Sequence, residues 1–360
     1  MKPMEINNWI ESFKKPLVIA GPCSAESEKQ MLQIAEELPK DKVEIFRAGI
    51  WKPRTKPNCF EGVGAIGLNW LAKVREEFGF KIGTEIANAN HAKLALECDV
   101  DMLWIGARTT VNPFQVQEIA EALRDTDKVV LVKNPINPDL ELWIGAMERL
   151  AGQGIKNLGV IHRGFSDYKK TKYRNQPQWQ IALDFKNRLP EMPIICDPSH
   201  IAGRRDLIEE ISQKAMNFGF QGLMIETHHT PDEAWSDASQ QVTPARLNEI
   251  LESLKVRKED DADTDFHTTL AQLRNKIDEA DNRILEMINE RMDIAKAIGT
   301  LKKEHNVTVF QPKRWNLIQE QILEKATKFG LSEEFVNRFL TAVHQESIKM
   351  QNEIMADKKA

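Results

Sequence analysis

Cys23, His200, Glu226 and Asp237 offer a thiol, an imidazole and two carboxylates, widely separated in the chain. The first three lie at the ends of short apolar runs and the fourth in the loop after the last run. Brought together, such a mixed soft and hard donor set suits Mn, Fe, Co or Zn better than Mg or Ca. A buried cysteine and a capping aspartate are the plainer reading, and spacing alone leaves both open. The same ends are rich in cations: Arg47, Lys52 and Arg54 in RAGIWKPRTKP, then Arg108, Lys133, Arg163 and Arg204. One such arginine is usually solvated or paired with a neighbouring carboxylate. A whole set at strand ends requires anions between its members, with arginine forks gripping phosphate or carboxylate and Lys133 acting as a point charge. The chemistry implied is that of two phosphorylated substrates and a Lewis acid.

Positioning these residues requires a scaffold that gathers strand ends. The runs are PLVIAGPCS, VEIFRAGI, KIGTEIAN, MLWIGAR, VVLVKNP, NLGVIHR, PIICDPSH and GLMIETHH, separated by amphipathic stretches such as EKQMLQIAEEL and NPFQVQEIAEALRD. Strand and helix signals in alternation predict a parallel sheet. Eight units in roughly 250 residues predict an α/β fold of the (β/α)8 TIM-barrel type, with its active site at the C-terminal strand ends. Those ends carry Cys23, Arg47, Glu85, Arg108, Lys133, Arg163, Asp197 with His200, and Glu226.

After TPARLNEILESLKV the chain changes character, and RKEDDADTD reads as a solvated linker. The division expected is a barrel over 1–254, a charged linker over 255–265 and an all-α, three-helix domain over 266–360. The helical patterns are interrupted by HNVTVFQP and by FGLS. The first should run about nine turns, with a seam from Leu270 and Leu273 through Ile277, Ile284, Met287, Ile294 and Ile298 to Leu301. A seam of this length needs a second copy to cover it, so a homodimer or higher homo-oligomer is expected. Arg291 interrupts the seam, and Lys302, eleven residues on, is rotated from it by only ~20°. Arg274 is rotated away by ~100° and would have to come from the other copy. Ser347 and Gln351 lie one turn apart on the third helix. Arg291 must meet either a protein carboxylate or an anionic ligand.

Composition narrows the classes further. The chain has 360 residues, 41% hydrophobic and 29% charged, enough for a large core and two domains. A net charge of -5 and a pI near 6.0 give no uniform basic field for nucleic acid. The N-terminal stretch lacks a secretory pattern and no apolar run reaches a membrane span, so a cytoplasmic protein is expected. Cys23, Cys59, Cys98 and Cys196 are scattered, and no disulfide is expected.

AGPCS, KPRTKP, IGARTT, CDPSH with GRR, and the stretch from IETHH to WSDASQQ together resemble 3-deoxy-D-arabino-heptulosonate-7-phosphate (DAHP) synthase, type I beta subgroup, over about residues 16 to 254. The resemblance implies condensation of phosphoenolpyruvate with erythrose 4-phosphate and loss of inorganic phosphate. It also implies one divalent metal per barrel, manganese first and Fe, Co or Zn as alternatives, on Cys23, His200, Glu226 and Asp237. Arg108, Lys133 and Arg163, with Arg47 and Lys52 nearby, would hold phosphoenolpyruvate. Lys52, Arg54, Thr55 and Asp197 would hold the aldose phosphate. His228 is placed either on the metal or behind a ligand, and His91, His162 and His229 take no role. The rival is the sister synthase that uses arabinose 5-phosphate, where the loop matching KPRT resembles KANRS.

LRNKIDEADNRILEMINERMDIAKAIGTLKK, PKRW and ESIKMQ resemble the all-helical AroQ class of chorismate mutase over nearly all of residues 266 to 355. This implies rearrangement of chorismate to prephenate in a pocket of Arg291, Lys302, Arg314, Ser347 and Gln351, with Arg274 from the other chain. Trp315 follows Arg314 where these mutases often have Glu, which removes one substrate hydroxyl contact. With no separate small sensor domain before the barrel, chorismate or prephenate on the helices is expected to close them onto the barrel and inhibit the synthase. The alternative makes the tail a non-catalytic dimerisation and sensing module.

Overall fold

A computed structural model describes residues 4–53, 60–168, 171–258, 260 and 262–356. The chain divides into two compact units, Met1–Glu259 and Asp260–Ala360.

In the first unit the eight apolar runs are strands: β1 Leu17–Gly21, β2 Ile45–Arg47, β3 Lys81–Ile86, β4 Met102–Ile105, β5 Val129–Lys133, β6 Leu158–His162, β7 Ile194–Cys196 and β8 Gly222–Glu226. They pair in chain order, all parallel, and β1 closes on β8 with Gly21 opposite Glu226. Strands covered on both faces read as unbroken apolar runs, yet their side chains still alternate. Leu17, Ile19, Ile45, Met102, Trp104, Leu131, Ile161, Ile195 and Met224 fill the barrel. Val18, Phe46, Ile82, Leu103, Val130, Val132, Val160 and Ile225 instead pack beneath the surrounding helices. The same parity carries Arg47, Glu85, Lys133, Arg163, Asp197 and Glu226 inward at the C-terminal ends. Space there is tight. A Cβ on Gly106 would lie 2.3 Å from Glu85 Oε1, so only glycine lets that carboxylate sit inside.

The opposite mouth is closed by the 3-10 turn Trp9–Ser12, a segment to which no sequence signal assigned a role. Trp9 Nε1 donates to Leu158 O at 2.7 Å, and Trp9 and Ile10 join the barrel interior. Ser27, Asn88, Asn112, Asp139 and Thr243 cap the outer helices, each accepting a backbone N–H.

Among its described residues the second unit has three helices, Thr264–Glu304, Pro312–Lys328 and Glu333–Met355. The first has 41 residues, about eleven turns rather than nine. It begins inside the charged stretch because Asp263 Oδ1 accepts from Asp265 N at 2.9 Å and caps it there. Met292, Ala295 and Gly299 are its buried positions. A Cβ on Gly299 would meet Gln351 Cα at 3.2 Å, so this glycine lets the third helix come close. The apolar seam stays largely uncovered in the single chain: Ile277, Ile284 and Ile298 are 59%, 50% and 43% exposed. No helix among the described residues is long and apolar enough to cross a membrane.

Candidate active sites

Cys23 follows β1, Glu226 ends β8, and Asp237 sits in the loop beyond with a left-handed backbone, φ 50°. Their ligand atoms all lie within 4.8 Å of one another. Cys23 Sγ donates to Asp237 Oδ2 at 3.2 Å. His200 approaches the same group, with Nε2 3.8 Å from Glu226 Oε1. Its Nδ1 is 2.7 Å from Asp197 Oδ2, which leaves Nε2 directed at the donor set. Asp197 also caps the short helix Pro198–Ala202, accepting from His200 N at 3.0 Å, and accepts from Lys133 Nζ at 3.0 Å. Capping and site building are therefore the same act for this residue. A thiol, two carboxylates and an imidazole at these distances fit a divalent transition metal.

The electrostatics follow from burial and the surrounding cations. Burial raises the Glu226 carboxyl, but His200, Arg47 and Lys52 outweigh it and hold the group at about 2. Burial likewise works against Asp237, and Arg174, His200 and Lys52 bring it below the usual carboxylate range. The Cys23 thiol is pushed up to about 12 by burial and then by Glu226. Lys52 Nζ donates to Cys23 Sγ at 2.9 Å and to Cys23 O at 2.8 Å. Arg47 is 2% exposed and donates to Glu226 Oε1 at 2.9 Å and to Cys23 O at 3.0 Å. Losing one partner of such a buried pair costs about 3–5 kcal/mol. Arg47→Met should therefore lower the unfolding free energy by about that amount in urea titrations of the metal-free protein. A loss below about 1 kcal/mol, the range of exposed pairs, would show that Glu226 is held by its other neighbours.

Above this floor opens a cavity of about 250 Å³ whose wall includes Lys52, Glu85, Arg108, Arg163, Arg174 and Asp237. Arg163 is pulled down to about 10 by burial, with Arg174 and Arg108 adding to the shift against the opposing effect of Asp197. A guanidinium so loaded by its neighbours marks a place where an anion is strongly favoured.

Several expectations need correction or completion. Arg204 does not join the cation cluster: its side chain is 58% exposed and makes two hydrogen bonds to Asp206, two residues along. Arg54 and Thr55 lie outside the described residues. His228 Nε2 lies 3.7 Å from Glu26, and its ring stacks on His229 at 4.5 Å. His162 points outward among Phe165, Trp179 and Phe220, where burial and then Arg163 lower it to about 3. Arg174, Gln240 and Gln241 went unassigned by sequence reasoning. Arg174 Nη1 donates to Asp237 Oδ1 at 2.8 Å and to Gln240 Oε1 at 2.6 Å. Gln240 Nε2 passes the chain on to Glu226 Oε2 at 2.6 Å, and Gln241 Oε1 accepts from Cys23 N at 3.0 Å. Two consecutive, fully buried amides thus tie down ligand-bearing residues of two different strand ends. Adjacent glutamines after Asp237 in WSDASQQ were the available signal.

In the helical unit, Arg291 Nη1 donates to Ser347 Oγ. Lys302 Nζ donates to Val309 O at 2.6 Å and to Gln351 Oε1 at 3.3 Å. Ser347 and Gln351 are 5% and 8% exposed. Arg274 and Arg314 are exposed. Arg274 stands about 25 Å from Arg291 along one helix, so it does not reach this pocket within its own chain.

A parallel eight-stranded barrel with a metal-competent donor set and a cationic mouth defines a class, that of barrel enzymes acting on phosphorylated substrates. Residues 10–262 match the DAHP synthetase I family, to which the chain belongs, and residues 273–352 match chorismate mutase type II. The phospho-2-dehydro-3-deoxyheptonate aldolase of Thermotoga maritima is 31% identical over 238 residues, 66% of this chain and 68% of that protein. A 2-dehydro-3-deoxyphosphooctonate aldolase of Geobacter metallireducens is 30% identical over 276 residues, 71% of this chain and 97% of that one. The crystal structure of the Thermotoga maritima DAHP synthase superposes with a TM-score of 0.59 at 28% identity, covering 66% of this chain and 67% of that one. The chain carries DAHP synthase and chorismate mutase domains and with them two activities of the shikimate pathway.

Proposed function

We propose that residues 1–254 form a metal-dependent synthase joining phosphoenolpyruvate to erythrose 4-phosphate, that 255–265 link it to 266–360, and that the latter rearrange chorismate to prephenate. The observation that carries the first half is the convergence of Cys23, Glu226 and Asp237 beside a cavity walled by Arg108, Arg163 and Lys52. Cys23, His200, Glu226 and Asp237 hold the metal, manganese first and Fe, Co or Zn as alternatives. When bound, it supplies Lewis acidity to the aldehyde. Arg108, Lys133 and Arg163 hold the phosphate and carboxylate of phosphoenolpyruvate, with Arg47 and Lys52 beside them. Lys52, Arg54, Thr55 and Asp197 hold erythrose 4-phosphate. Carbon 3 of the enol ester attacks the aldehyde carbon, water adds at carbon 2 and phosphate departs. The arginines keep the departing phosphate neutralised, so their contribution is orientation and fixed charge.

In the mutase, Arg291, Arg314 and Ser347, with Arg274 from a second copy, grip the two carboxylates. Lys302 and Gln351 face the ether oxygen. The reaction needs no nucleophile, and its acceleration comes from holding the compact conformer and meeting the charge that develops. The exposed apolar seam supports pairing of two chains through the long helix, in a cytoplasmic protein without nucleic acid or membrane partners.

One preparation tests both halves. Supplied with manganese, it should consume phosphoenolpyruvate only when erythrose 4-phosphate is present, releasing phosphate, and should convert chorismate to prephenate. Consumption with arabinose 5-phosphate instead would assign the sister reaction. We further propose feedback: prephenate on the helices lowers synthase activity, which requires differential affinity for two states of the chain. Saturating prephenate should reduce kcat/KM of the synthase about 5- to 150-fold, the usual span of such coupling. Unchanged kinetics would end this idea.

A further inference from the structure

His344 precedes Ser347 by three residues and Gln351 by seven on the third tail helix, so imidazole, hydroxyl and amide occupy one helix face. The hydroxyl and the amide already meet Arg291 and Lys302. The imidazole is fixed by stacking: its ring lies on Trp315 at 3.9 Å between centroids and 15° between planes, with Phe310 6.0 Å away. Its Nε2 is buried and has no hydrogen-bond partner among the described residues. A buried nitrogen of this kind, beside two cations, is an acceptor or donor waiting for a ligand atom.

The charged groups that act on this ring are Arg291 and Lys302, both on the long helix. The second helix presents Trp315 to it, the preceding segment presents Phe310, and no carboxylate among the described residues contributes to its field. Burial first, then Arg291 and Lys302, hold the imidazole below its ordinary range. It is therefore neutral near pH 7 in the free protein. A dianion placed between Arg291 and Lys302 cancels the two positive charges that disfavour a third.

We propose that His344 is a binding residue of the mutase pocket, taking up a proton from solvent as a dicarboxylate binds and then donating from Nε2 to it. The inference rests on the pocket of Arg291, Lys302, Ser347 and Gln351 assigned above. By linkage, ligand affinity then falls as pH rises through the imidazole's ligand-bound titration, because the ligand prefers the protonated form.

The test is calorimetric titration of the full chain with prephenate, in buffers of different ionisation enthalpy, which counts protons taken up per ligand. Wild-type protein should take up a fraction of one proton per ligand, and its affinity should weaken as pH rises from the free imidazole's titration to the ligand-bound one. His344→Phe keeps the ring on Trp315 without nitrogens, and His344→Gln keeps a hydrogen-bonding group that does not titrate. Both should lose the proton uptake and the pH dependence, with binding weaker in the phenylalanine variant. Prephenate binding to wild type without proton uptake, or the same uptake in both variants, overturns the role of His344. No prephenate binding to wild type at all removes the pocket itself, a failure distinguishable from the first.

Discussion

Chelation of the full chain is expected to abolish DAHP formation while leaving chorismate rearrangement intact, and manganese should restore the lost activity. The separation follows from where each site keeps its charge. In the barrel, the three donors within 4.8 Å include a thiol pushed to about 12, one carboxyl held at about 2 and another below its usual range. Such a set invites a divalent cation that displaces the thiol proton. Lys52 bonds the thiol at 2.9 Å, but an ammonium is a weak substitute for a Lewis acid at an aldehyde. If the metal supplies about 4 kcal/mol of stabilisation, its removal costs about a thousandfold in rate. The pocket proposed in the helical unit would rely instead on Arg291, Lys302, Ser347 and Gln351, which bond one another without a metal-ligating group. Phosphoenolpyruvate consumption and chorismate loss, followed on one chelated sample, check the claim. Full synthase activity after metal removal would take the donor set out of the mechanism, and a parallel loss of mutase activity would point to unfolding.

Most of the barrel was legible because parallel strands impose two strong regularities on a sequence. The first is the unbroken apolar run of a strand covered on both faces. The second is parity: with Ile45, Leu131 and Met224 inside, Arg47, Lys133 and Glu226 two residues later must also point inward. The chemistry was visible wherever that rule applied. Where a loop returned to the site, only the residues of a resembling motif, such as Lys52 and Asp237, were named, and their neighbours were missed. Arg174 lies in the stretch between β6 and β7, and Gln240 and Gln241 beyond β8, where no period predicts direction. Arg204 shows the converse failure: a cation near a strand end in sequence found a partner two residues away, at Asp206, before it reached the cavity.

In the tail the three-four rhythm identified a long helix, but a period alone does not say which neighbour covers which face. Met292, Ala295 and Gly299 receive the third helix, while Ile277, Ile284 and Ile298 stay exposed. Small residues let the third helix approach closely at one end of the long helix, while Ile277, five full turns before Ala295 on the same side, stays exposed.

Gln351→Ala is expected to lower the mutase kcat by about a hundred- to a thousandfold, the usual effect of deleting one donor aimed at developing charge. It should leave synthase activity and self-association unchanged. Gln351 is 8% exposed and receives Lys302 Nζ at 3.3 Å, while Lys302 is anchored independently by Val309 O at 2.6 Å. The substitution thus removes an amide from the pocket and leaves the ammonium in place. Because Gln351 packs against Gly299, about 33 Å and 22 Å along the helix from Ile277 and Ile284, trimming it should not disturb the pairing proposed through those residues. Chorismate consumption and sedimentation velocity on the same variant separate the two functions of the tail. A collapsed rate with an unchanged sedimentation coefficient supports a catalytic pocket on a dimerising helix. A rate equal to wild type would mean that Lys302 and Gln351 do not act on the ether oxygen, and the helices would then serve as the dimerisation and sensing module.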